Sequence, residues 1–274
     1  MRILFILFLL SSHLLPAQST KKANQARDAI LAEATALYHT ERAAWVGTDA
    51  FLANYTDQNN IGGYVAYLAG GKAYCIFVNQ AATPMVLGTI AMPLPVTAET
   101  AVLDLTKRPL TEDEVTLLAM RKAAVADMTD NSFYRVPTGA NFNIVPFLYE
   151  GERKVYVLAG PTEHGQVYIG NDYLITLNKK HKVKEREALH NTLLKFGYTA
   201  EDGSDIKATI HSHVPGKSPF ISVTDVCTLW LYAPYLSWKQ HTVVSADYVS
   251  ILDLEKRSLL IVTRAAFDRM GKGD

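Results

Sequence analysis

At 274 residues the chain is long enough for one large domain or two small ones. With 49% apolar and 20% charged residues it has the composition of a globular protein with a real core. Its 27 basic and 27 acidic residues balance, so there is no electrostatic footprint for nucleic acid. No polybasic block flanks an amphipathic stretch, which removes the usual basis for membrane-surface binding.

The start of the chain carries an address. Met1-Arg2 is a short basic opening, and the apolar run from Ile3 to Leu10 is too short to span a bilayer. Ala17 and Ser19 place small residues at the −3 and −1 positions of a cleavage site. The pattern predicts a secretory signal peptide over 1–19 and a mature protein that begins at Thr20, secreted or periplasmic. No second run of about 20 apolar residues occurs, so no membrane span is expected in the mature protein. In an exported chain Cys75 and Cys227 could pair, or both could be buried thiols in apolar surroundings.

Residues 23 to about 54 read as a helix, with Ala26, Ile30, Ala34, Leu37, Ala44 and Trp45 near helical spacing. Tyr64–Leu68 and Ala73–Val78 read as a hairpin about the turn Gly70-Gly71, and Met85–Met92 as a third strand stopped by Pro93 and Pro95. Thr111 and Glu114 form a capping-box pattern ahead of a second helix, which runs to about Met128. Strands are then expected at 144–149, 155–159, 166–169 and 173–177. The charged stretch 179–187 reads as a solvated hairpin arm or edge strand. Residues 197–206 are rich in Gly and Asp and read as a loop.

The chemistry concentrates between residues 208 and 225. Ala208–Pro215 reads as a strand, and along a strand side chains alternate, so His211 and His213 share one face and Ser212 takes the other. Two imidazoles so placed can grip one metal ion. Pro215-Gly216 ends the strand. Ser222 and Asp225 have the spacing of an N-cap and an acid in the first helical turn. Two histidines and a carboxylate make three protein ligands and leave a fourth position for water, the arrangement of a catalytic zinc site. Strands at 241–245, 248–252 and 259–262 complete the chain, and the tail from Ala266 is expected to fray. The whole pattern is α+β, a mixed β-sheet with flanking helices. It divides into an N-terminal α+β subdomain over 20–140 and a metal-site subdomain over 141–274.

The strand ending in His211-x-His213 and the helix opening with Ser222-x-x-Asp225 resemble the JAMM (MPN-type) zinc hydrolases and related domains of bacterial exported proteins. The resemblance covers roughly residues 150–263. It implies that His211, His213 and Asp225 hold Zn2+, that Ser222 is a polar helper at the reacting centre, and that a glutamate is the general base. Glu163, in Thr162-Glu163-His164-Gly165, fits that base best, ahead of Glu150 and Glu152. Eight residues separate His213 from Ser222, one more than the family spacing.

The remaining histidines carry less. His190 is a structural residue, an outer-shell partner or a replacement third ligand in a three-His site. His241 begins a strand and reads as packing or surface, and His181 as solvated. The aromatic run Trp230, Tyr232, Tyr235 and Trp238 reads as core, or more sharply as a wall for a peptide. The expectation is an exported zinc hydrolase acting on a peptide or protein substrate. The alternatives are a non-catalytic JAMM-like binding or scaffold module, and an exported effector- or immunity-type protein whose N-terminal half does the work.

Overall fold

The computed structural model describes residues 14–129 and 131–271, with side chains from Thr20 onward. The fold is α+β. The expected signal peptide lies outside the described residues for its first thirteen positions. Helix α1, Leu14–Asn54, runs through the expected cleavage point. Among the described residues no helix is long and apolar enough to cross a membrane. The described residues form two compact units, one within residues 33–197 and one from 14–32 with 198–271.

The larger unit holds two four-stranded antiparallel sheets. In the first, β1 (Ile61–Ala69), β2 (Lys72–Asn79), β3 (Val86–Pro93) and β4 (Val102–Asp104) lie in sequence order. The β1–β2 turn is made by Gly70 and Gly71, both at positive φ (54° and 74°), as the tightest hairpins require. Strand β2 is buried on both faces, so it reads as a continuous apolar run. Cys75 and Phe77 pack with Ala43, Ala44 and Phe51 of α1, where the Phe51 and Phe77 rings stack at 4.1 Å. Ile76 and Val78 pack with Leu117 of α2, Glu112–Thr129. A Cβ on Gly47 would lie 2.4 Å from the Cys75 Cβ, so only glycine lets α1 come this close to the strand. Helix α2 opens with the expected capping box. The Glu114 backbone donates to Thr111 Oγ1 (3.3 Å), and the Thr111 backbone donates to Glu114 Oε2 (2.8 Å).

The second sheet orders β5 (Ala140–Tyr149), β6 (Glu152–Pro161), β8 (Tyr173–Leu177) and β9 (Val183–Ala188), with β7 (Gln166–Gly170) in a separate ribbon against β10 (Leu193–Gly197). Strand β9 is the charged stretch, and it takes the sheet edge, where its side chains stay in water. The boundary expected at 140/141 falls inside this unit, because β5 to β10 belong with the first sheet rather than with the His strand. Neither β4 nor β10 is evident from local pattern: one is three residues long and the other leads into the Gly- and Asp-rich loop.

The smaller unit has one sheet, β11 (Ala208–Ser212), β12 (Gln240–Val244), β13 (Tyr248–Asp253) and β14 (Ser258–Thr263), in that order. Strands β11 and β12 are parallel and the other pairs antiparallel. A parallel pair needs a crossover, and the chain supplies it through α3, Val223–Tyr232. Nearly all of α3 is buried, which matches its apolar character all round. The tail does not fray from Ala266: it forms α4, Arg264–Met270, whose first turn is held by Thr263 Oγ1 accepting from the Ala266 backbone. Cys75 and Cys227 form no disulfide, and both are buried.

Candidate metal centre

The site grows from β11. Alternation along this strand buries His211 and His213 and leaves Ile210 61% exposed. The ladder continues one residue past β11, since the His213 backbone donates to the Val244 carbonyl (2.9 Å), so His213 is held as firmly as His211. Residues 214–217 then make a turn closed by Lys217 N–H to the Val214 carbonyl, with Gly216 at φ 88°. Ser245 Oγ donates to the Pro219 carbonyl (2.8 Å), and the Ile221 backbone donates to Ser250 Oγ (3.1 Å). These bonds tie the eight-residue connection to the sheet and fix where α3 begins.

Helix α3 opens with a complete capping box. Ser222 Oγ accepts from the Asp225 backbone (2.9 Å), and Asp225 Oδ2 accepts from the Ser222 backbone (2.9 Å). Ser222 Oγ also shares a hydrogen with Thr224 Oγ1 at 3.0 Å. This places the Asp225 carboxylate, fully buried, against the two imidazoles. Its Oδ2 is 3.6 Å from His213 Nε2 and 3.9 Å from His211 Nε2. One ligand atom from each of the three residues lies within 4.8 Å of the others, so the group could hold a metal ion.

The donor set suits zinc. Ligand atoms at about 2.0–2.1 Å from a tetrahedral metal are ~3.3 Å apart, so closing from 3.6 and 3.9 Å asks for shifts of only a few tenths of an ångström. The outer nitrogens are engaged too. His213 Nδ1 lies 3.0 Å from the Ser218 carbonyl, which can only accept. A ring hydrogen therefore sits on Nδ1, which leaves Nε2, the nitrogen that faces Asp225, as the one that can ligate a metal. His211 Nδ1 lies 2.8 Å from His241 Nε2, and His241 Nδ1 lies 2.8 Å from Thr209 Oγ1. Burial above all, then the neighbouring His211 ring, pushes the His241 imidazole down to about 3, so it is neutral at physiological pH.

His211, His213 and Asp225 thus come together as their spacing implies, with Ser222 as the cap that aims Asp225. Glu163 belongs to the larger unit, on an exposed turn between β6 and β7. The strand that follows it is not a neighbour of the His strand, since β7 pairs with β10 and β11 pairs with β12. Glu150 and Glu152 flank the β5–β6 turn of the same unit. His190 is also in the larger unit, its Nδ1 3.7 Å from Asp172 Oδ2. Trp230 and Trp238 are core, while Tyr235 is exposed and stacks on Tyr198 at 6.0 Å. His241 is the residue that sequence reasoning missed. Its only local signal is a histidine at the start of a strand, and its meaning depends on which strand it pairs with. Comparison with known protein families, with curated proteins and with solved structures found no match.

Proposed function

We propose that the protein is an exported zinc-dependent hydrolase of peptide or isopeptide bonds, with a JAMM-like centre at His211, His213 and Asp225. The observation that carries the reading is the convergence of two imidazole Nε2 atoms on one buried carboxylate oxygen, in a donor set that leaves a fourth position for water. When bound, zinc supplies Lewis-acid activation of water at neutral pH. The chain's own residues do the rest. The Ser218 carbonyl holds His213 in its ligating tautomer, and the Ser222 cap aims Asp225. Glu163 is the candidate general base, taking the proton from water and passing it to the leaving amine.

Elemental analysis of the full-length protein purified with zinc supplied tests the reading. The expected result is one zinc per chain in the wild type and none in His211→Ala, with cleavage of a peptide or isopeptide substrate lost in parallel. A wild type that takes up no zinc overturns it. Zinc bound without cleavage supports the binding-module alternative, which the exposed turn carrying Glu163 and the longer His213–Ser222 spacing favour.

A further inference from the structure

We propose that His241 is a positioning residue, which fixes His211 in the tautomer that ligates metal by accepting the hydrogen of its Nδ1 and passing its own to Thr209.

Two facing ring nitrogens 2.8 Å apart share one hydrogen, and its owner decides what His211 presents at the other side of its ring. With the hydrogen on His211 Nδ1, His211 Nε2 offers a lone pair toward Asp225 Oδ2, 3.9 Å away. With the hydrogen on His241 Nε2, His211 Nδ1 must accept, Nε2 carries the hydrogen, and no lone pair remains for a metal. Thr209 completes the arrangement. Its Oγ1 lies 2.8 Å from His241 Nδ1, and a hydroxyl accepting a hydrogen there leaves His241 Nε2 as the acceptor that His211 needs.

The geometry is built rather than incidental. The parallel register of β11 and β12 sets Thr209 beside His241 and His211 beside Val243, so the three polar side chains rise from one sheet face in order. His241 is fully buried, and the Trp238 indole is 5.8 Å from its ring, centroid to centroid, so the imidazole is clamped by packing. His213 has the usual outer partner of a ligating histidine, a backbone carbonyl. His211 has this relay instead. The consequence for metal affinity rests on the zinc reading of the site, but the tautomer itself does not.

The test therefore has two readouts. Long-range proton–nitrogen NMR of the metal-free full-length protein reports which nitrogen of His211 carries hydrogen. Nδ1–H is expected in the wild type, and Nε2–H there overturns the proposal even if the protein never binds zinc. Zinc affinity is measured by competition with a chromophoric chelator, and the site is observed through the visible spectrum of the cobalt form. His241→Leu keeps the volume but has no acceptor. It is expected to weaken zinc binding by about 10- to 100-fold, the usual cost of losing an outer-shell partner, and to change the cobalt spectrum. His241→Gln returns an acceptor oxygen and should recover most of the affinity. Thr209→Val removes the hydroxyl while leaving His241, and should shift the same two readouts in the same direction. It decides the matter should His241→Leu not fold. Folded His241→Leu and Thr209→Val proteins with wild-type tautomer and wild-type zinc affinity would sink the relay.

Discussion

His213 Nε2 stands 3.6 Å from Asp225 Oδ2, although one side chain rises from the end of a strand and the other from the first turn of a helix. Asp225 serves two purposes at once, because the same Oδ2 accepts the Ser222 backbone hydrogen that closes the cap. Asp225→Asn separates them. The amide oxygen can still accept from Ser222, so the helix start should survive, while the charged ligand is lost. Zinc affinity should fall by at least about 100-fold, the upper end of what even an outer-shell loss costs. Titration against a chelator, with circular dichroism to confirm the fold, checks this. An affinity within threefold of wild type would remove Asp225 from the ligand set.

Ser222 should show its effect first as stability. Ser222→Ala deletes the acceptor for the Asp225 backbone and is expected to cost about 1 kcal/mol in urea denaturation. Zinc affinity should drop less than in Asp225→Asn, since the carboxylate remains but is aimed less firmly. Unchanged stability would mean that the cap contributes nothing to the folded state.

If the chemistry is hydrolysis, Glu163→Gln should leave zinc bound and lower turnover by about 10²- to 10⁴-fold, because the amide keeps the shape but cannot take a proton. Metal content and single-turnover rates are read on the same preparation. An unchanged rate with zinc retained would move the base elsewhere, and Glu150→Gln and Glu152→Gln are then the variants to measure.

A pH effect independent of the metal centre comes from the larger unit. Glu41 is 2% exposed and accepts from Trp45 Nε1 at 3.0 Å. Burial raises its carboxyl from 4.5 to about 7. The unfolded chain releases this proton near pH 4.5 and the folded one near pH 7, so across that window the folded state binds more protons and stability falls as pH rises. The contribution is complete below about pH 4.5 and gone above pH 7, on the order of 3 kcal/mol over the window. Glu41→Gln should keep the bond to Trp45, flatten that slope and be the more stable form at pH 7.5. Parallel slopes for both proteins between pH 5 and 7 would show that Glu41 is charged in the fold.

What the sequence determined by itself is local. Alternation along a strand put His211 and His213 on one face whatever lay beside them. The Ser222–Asp225 and Thr111–Glu114 spacings formed both capping boxes, because a cap is closed by residues three apart. The Gly70-Gly71 turn and the charged edge strand β9 were legible for the same reason. Only the tertiary structure decided the rest. Strand partners are set by burial summed over whole faces, and periodicity within one strand is blind to them. So the parallel register that lays His241 against His211 could not be read from either segment alone, nor could the pairing of β7 with β10, which keeps the strand after Glu163 out of the His211 sheet. The same holds for the division of the chain. Nothing local marks residue 198, yet the first residues of α1 and the last strands form one compact unit, while β5 to β10 belong with the sheet that precedes them.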